Sequence, residues 1–262
     1  MTATPADLLT AAVRRAPAAP LVTYYDDATD ERVELSATTL ANWVAKTANL
    51  LQDEFDVGPG SSVALALPAH WQTAAVLLGV WSCGAAVVDT AGEDEGRLED
   101  VDVVLAEQSR LAPLEEQGVD PLVGLSLHPL GMGMTGYRGP ARDFALEVRV
   151  HGDVFMPYQP ADPAADGLVL GGLRLSLAGL AEAAGELAAR LDLRDGDRVM
   201  VAETVATEAG PIAWLLAPLT AGASIVLCRH ADAGRLPGRA AAERVTATLG
   251  SRLDGVRELG RI

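Results

Sequence analysis

Lysine is almost missing from this chain. Lys46 is the only one among 20 basic residues, and 36 acidic residues bring the formal charge to −16. Such a surface repels nucleic acid and anionic lipid, so neither is an expected partner. A lone lysine also leaves little choice where a compact ammonium must meet a phosphate. Aromatic residues are scarce at 4%, while hydrophobic residues make up 49%. The core is therefore expected to be Ala, Val and Leu, and a disordered chain is excluded. The two cysteines, Cys83 and Cys228, have no CxxC partner and lie beside apolar strand patterns. That predicts buried, reduced thiols in a cytoplasmic protein. The four histidines, His70, His128, His151 and His230, share no ligand spacing, so no metal is expected. The start, MTATPADLLTAAVRR, lacks the basic and apolar regions of a signal peptide. Residues 57–88 carry no formal charge. Pro68, His70, Gln72 and Gly84 divide that run into strand, helix and strand, which argues against a membrane span.

What is present is a repeat. "LSATTLANWVAKTANLLQDEFDVGPGSSVALAL" is answered by "LSLAGLAEAAGELAARLDLRDGDRVMVAE". Ser36 matches Ser176, Leu40 matches Leu180, Gly60 matches Gly196 and Val63 matches Val199, and "LLGVWSCGAAVV" matches "LLAPLTAGASIV". The offset stays between 136 and 140 residues, which predicts two similar lobes. Each copy reads as a serine N-cap, a helix, a Gly-containing turn, an apolar strand, a second helix and a last strand. Leu40, Val44, Thr47 or Ala48, and Leu51 mark the buried face of one first helix; Leu177, Leu180, Ala184, Leu187 and Leu191 mark the other. The second helices are expected near 70–82 and 208–220. The fold class is α/β, with mainly parallel sheets under helices. The expected lobes are residues 1–110 and 166–230. Between them, 111–165 is an irregular, Pro/Gly-rich connection with strands, in which "FALEVRV" at 144–150 alternates like one. The tail, 231–262, is polar and expected to be helical from about Arg239.

Several short motifs fail a context test. "GMGMTG" at 131–136 fits GxGxxG, but Gly139-Pro140 follows where a helix must open. "GLSLH" at 124–128 lacks the second glycine of a nucleophile elbow. His70, after Pro68 at a helix start, is expected to cap or face solvent. The acidic run Asp26, Asp27, Asp30 and Glu31 is expected to be a solvated hairpin turn, and "GEDEGRLEDVD" at 92–102 a solvated face. One stretch keeps its interest: "DGLVLGGLRLSLAGL", residues 166–180. Glycines between a strand and a helix often cradle phosphate, yet two glycines between apolar runs also signal a hairpin.

Taken together, the two copies resemble the N-terminal part of the acyl-adenylate-forming superfamily of acyl-CoA synthetases, adenylation domains and luciferases. The Leu/Ala-rich helix, the "VGPGSSVALAL" turn and strand, and the "LLAPLTAGASIVL" step carry the likeness, over roughly residues 7–230. The resemblance implies a phosphate-gripping loop between Asp166 and Ser176, where family members have Ser, Thr, Gly and a closing Pro-Lys-Gly. At that position this chain has Gly171, Gly172, Arg174 and Ser176, with Arg174 the nearest cation, and they form the remnant phosphate-loop position. Lys46 lies in the first helix and cannot stand in. The family's adenine, ribose and magnesium motifs and its adenylation lysine would lie beyond residue 262. Adenylation rests on positioning and neutralising anions. The implied protein is thus a truncated acyl-CoA synthetase-like chain without adenylation activity or catalytic residues, binding a ligand or a partner. No cofactor is expected; ATP or AMP with Mg would bind only if residual family binding persists. A protein partner or a second copy would meet the surface where the family fold continues. Two alternatives are the N-terminal half of a split ligase completed by another chain, and an unrelated α/β nucleotide-binding protein using Gly131–Gly136.

Overall fold

The computed structural model describes residues 3–89, 98 and 100–260. In chain order, α1 (Pro5–Arg15) leads to a hairpin of β1 (Pro20–Asp26) and β2 (Glu31–Ser36), then α2 (Ala37–Phe55), β3 (Ser62–Ala66), α3 (Trp71–Ser82) and β4 (Ala86–Asp89). The middle contributes β5 (Val103–Glu107), α4 (Leu111–Glu116), β6 (Leu122–Leu125), β7 (Arg142–Asp143) and α5 (Phe144–Glu147). The second copy repeats the first: hairpin β8 (Asp166–Leu170) and β9 (Leu173–Ser176), α6 (Leu177–Arg190), β10 (Arg198–Ala202), α7 (Glu203–Glu208), α8 (Ala217–Ala221) and β11 (Ser224–Arg229). The tail holds α9 (Leu236–Ala242), β12 (Ala247–Leu249) and β13 (Arg257–Glu258).

The repeat is therefore one hairpin longer at its start than the sequence likeness shows. Its punctuation is local chemistry. Ser36 Oγ accepts from Thr39 N–H at 3.1 Å, and Ser176 Oγ from Gly179 N–H at 3.0 Å, so both predicted caps form. Both first helices stop on a left-handed aspartate, Asp56 and Asp192, each with φ 53°. The next amide turns back: Val57 N–H donates to Leu51 O at 3.1 Å, and Leu193 N–H to Ala188 O at 2.9 Å. The predicted helix faces are buried, with Leu40, Thr47, Ala48, Leu51, Leu177, Leu180 and Ala184 all at 0% exposure.

The chain divides into two compact units that cut across the copies. One comprises Met1–Ala6, Ala41–Pro68 and Gln72–Gly179; the other comprises Asp7–Leu40, Ala69–Trp71 and Leu180–Ile262. The first holds a seven-stranded sheet, β7-β6-β5-β3-β4-β8-β9, parallel except for the β8–β9 hairpin. The second holds a six-stranded sheet, β13-β12-β10-β11-β1-β2, parallel except for β1–β2. Each hairpin thus joins the sheet built from the other copy's strands. The architecture is α/β with two mainly parallel sheets flanked by helices, as expected. In the first unit α3 is apolar all round and buried, and Trp81 Nε1–H fastens it to Gly167 O at 2.7 Å. Gly79 lets α3 approach α2, since a Cβ there would stand 2.9 Å from Thr47 Cγ2. No helix among the described residues is long and apolar enough to cross a membrane. Cys83 and Cys228 are free and buried, and burial pushes the Cys83 thiol up to about 12.

Four expectations are corrected. Residues 144–150 are helical, not a strand: the Asp143 carboxylate caps Ala145 N–H at 2.9 Å, and Phe144, Ala145 and Val148 bury one helical face. The tail is not one helix. α9 ends where Arg244 turns left-handed (φ 54°), and β12 pairs with β10 while β13 pairs with β12. The helical segment expected near 208–220 breaks at Gly210-Pro211 and Pro218 into α7, a π-helical turn at Ile212–Leu216, and α8. The acidic run is not wholly solvated: Asp26 is 5% exposed and the Asp27 side chain 6%, against 84% for Asp30. Most of the 92–102 stretch lies outside the described residues.

Candidate functional site

The four marked residues of the second hairpin lie together in the first unit. Leu170 pairs with Leu173, so Gly171-Gly172 forms a two-residue turn. Gly171 has φ 55° and Gly172 does not share that conformation, the pattern in which glycine leads the turn. A Cβ at either glycine would meet nothing within 4 Å. Leu170 and Leu173 flank it at 43% and 51% exposure. Arg174 reaches back along the hairpin to Asp166 at 2.6 Å, and Ser176 is spent as the cap of α6. Lys46 is committed elsewhere in the same unit, donating to His151 O at 2.5 Å and pairing with Asp153 at 3.1 Å.

The glycine motif at 131–136 is a loop. Met134 N–H donates to Asp143 Oδ2 at 2.7 Å, Ser126 Oγ–H to Met132 O at 2.5 Å, and Gln108 Nε2–H to Thr135 O at 2.8 Å. Strand β6 precedes it, but no helix opens on it. Ser126 is held as a loop hydroxyl rather than aimed as a nucleophile.

Sequence reasoning missed a polar cluster in the second unit, at the carboxyl ends of parallel strands β1, β10 and β11, where α/β sheets commonly hold ligands. Asp26 closes β1, Arg229 closes β11, and Glu203 follows β10. His230 Nδ1 lies 2.9 Å from Asp26 Oδ1, Tyr24 O–H donates to Asp26 Oδ2 at 3.3 Å, and Arg229 Nε–H donates to Glu203 at 3.3 Å. Burial would raise the Asp26 carboxyl, but hydrogen bonds from His230 and the Ala28 amide, with the His230 and Arg229 charges, hold it below the usual range. His70 is buried beside the cluster, contrary to the expectation of a cap or surface residue. It is 1% exposed, with its ring 4.3 Å from Tyr24 and edge-on. Burial pushes its pKa down to about 3, so the imidazole is neutral. No sequence signal could have located this cluster, because β1 joins β10 and β11 only through long-range pairing. Asp26 is matched by His230 and Glu203 by Arg229, so the cluster ties the ends of the three strands together.

A cavity of about 220 Å3 opens in the first unit, lined among others by Gln52, Asp56, Val57, Cys83, Tyr158 and Gln159. Beside it a strap, residues 151–159, is laid along α2, and its Tyr158 and Gln159 line the cavity. Asn49 Nδ2–H reaches Gly152 O and Val154 O, both at 3.0 Å, and Gln52 Oε1 accepts from Tyr158 N–H at 2.8 Å.

A family model described as AMP-binding enzyme matches residues 9–92. A Mycobacterium tuberculosis "TIGR03089 family protein" is 44% identical over 246 residues, covering 90% of this chain and 94% of the relative. Among solved structures, the anthranilate CoA ligase AuaEII in complex with anthranoyl-AMP matches at 16% identity with a TM-score of 0.75, over 95% of this chain and 50% of that one. The N-terminal domain of FACL13 from Mycobacterium tuberculosis matches at 15% identity with a TM-score of 0.71, over 95% and 62%. The chain thus spans 50% and 62% of these two solved structures, and the likeness to them is one of fold. The chain belongs to the TIGR03089 family, and its fold is that of the N-terminal domain of the AMP-binding, adenylate-forming enzymes.

Proposed function

We propose that this chain binds a ligand or a protein partner and does not by itself adenylate a carboxylic acid. One observation carries the reading: Gly171-Gly172 is a two-residue turn, and its nearest cation, Arg174, is already paired with Asp166. Activating a carboxylate at an α-phosphate brings anions together, so the work is charge neutralisation and positioning. A turn of two glycines supplies no hydroxyl, and the sole lysine is bonded to His151 and Asp153. Each tenfold loss of rate corresponds to about 1.4 kcal/mol of lost transition-state stabilisation. The absence of several such groups therefore supports a binding role.

The test is ATP–pyrophosphate exchange by the isolated chain with a panel of carboxylic acids, paired with thermal shifts in ATP, AMP and acyl-adenylate analogues. No exchange is expected; robust exchange overturns the reading. A shift with an adenylate analogue would identify residual nucleotide binding. The exposed Leu170 and Leu173 favour a second reading, in which another chain covers the hairpin and completes a split ligase. Exchange that appears only when a second protein is added would select it.

A further inference from the structure

The two copies of the repeat treat one carboxylate differently. Asp56 and Asp192 are equivalent: each closes the first helix of its copy in the left-handed conformation, 136 residues apart like Gly60 and Gly196. In the second copy an arginine covers this turn. Arg257 Nη1–H donates to the Asp192 carbonyl at 2.5 Å and lies 3.5 Å from its carboxylate, and Nη2 pairs with Asp197. In the first copy no basic side chain pairs with Asp56 among the described residues. Asp56 is exposed and lines the 220 Å3 cavity.

We propose that this cavity receives an arginine side chain of a partner protein, and that apolar residues beside that arginine cover the strap. Four observations point the same way. The volume is below the roughly 300–1,000 Å3 of ordinary small-molecule pockets, which suits one long side chain better than a nucleotide. Asp56 supplies the carboxylate that a planar guanidinium matches, and the Tyr158 ring, 76% exposed, supplies a face for it to stack on. Val154, Met156 and Tyr158 stand 75–76% exposed along the same strap, an unusual display for a segment held so firmly to α2. The surroundings are acidic: segments 45–60 and 142–166 contain eight Asp or Glu against three Lys or Arg. That balance favours a basic partner and disfavours a second copy, which carries the same −16 charge. The inference adds a partner to the binding role above, and it fails independently of that role, because it concerns neither the hairpin nor nucleotide.

The test uses the intact chain labelled with 15N. Agmatine, which carries a guanidinium and an ammonium on a four-carbon chain, is titrated first, then acetyl-Lys-Leu-Arg-Leu-Lys-amide. Saturable shifts are expected at Gly58, Tyr158 and Gln159. Asp56→Asn tolerates the left-handed turn and should weaken agmatine by about tenfold, while Asp192→Asn should not. The peptide should bind about tenfold tighter than agmatine, and Met156→Ser should reduce that gain while leaving agmatine binding unchanged. No saturable shift, or equal agmatine affinity for Asp56→Asn, overturns the arginine site. A peptide no tighter than agmatine overturns the role of the strap.

Discussion

His70 is a histidine that the fold keeps neutral. Its pKa is pushed down by burial to about 3, from an ordinary 6.5. Between those values the unfolded chain takes up a proton that the folded chain refuses. Stability is therefore lost as pH falls from about 6.5 towards 3, by up to roughly 1.4 kcal/mol per pH unit for this one group. The depressed carboxyl of Asp26 loses stability in the same direction, so a variant is needed to isolate the histidine. His70→Gln should flatten the dependence of Tm on pH between about pH 6.5 and pH 4. An unchanged slope would show that the acid sensitivity lies elsewhere. A second contrast is available among ion pairs. Asp27 and Arg239 are 6% and 7% exposed and meet at 2.5 Å, with the Arg239 guanidinium 4.0 Å from the Tyr25 ring centre. Asp27→Ala should cost about 3–5 kcal/mol in urea denaturation, because it strands a buried cation. Asp166→Ala, which breaks the exposed pair with Arg174, should cost less than about 1 kcal/mol. The serine caps were legible because a cap is a local event. The burial of Asp27 was not, because its partner stands 212 residues away in sequence.

The hairpin of β8 and β9 was legible as an element: two glycines between apolar runs name the turn that forms. Gly171 alone carries the positive φ of 55°. Gly171→Val should therefore destabilise the protein by about 1–2 kcal/mol, while Gly172→Ala should fall within about 0.5 kcal/mol of the parent in the same denaturation experiment. Other elements resisted reading for definite reasons. Phe144–Val150 fits a period of two as well as a short helix, and only the Asp143 cap decides between them. β12 and β13 span three and two residues, too few for any period to show. The polar cluster at the ends of β1, β10 and β11 was hidden because its members come from four distant stretches of chain.

On the scale of the molecule, the parallel sheets and the repeat were legible, but the exchange of hairpins was not. Pairing of β1 with β11 leaves no mark on either strand alone, and both read simply as apolar. The exchange bears on how the chain is made. Every strand of the seven-stranded sheet has been synthesised once Ser176 has been added. β1, in contrast, must wait for β11, since Val22 pairs with Ile225. During synthesis the N-terminal hairpin is an orphan with Leu21, Val22 and Tyr24 uncovered, while the unit that follows it in sequence can already close. Protease applied to ribosome-held chains stopped just before Ser224, with the segment after Gly179 filling the exit tunnel, should spare residues 41–179 and cut within 7–40. Protection of both stretches at that length would refute this order of assembly. The first strand made is thus among the last to find its place, and sequestering it in the interval is a task that falls to the cell's folding machinery.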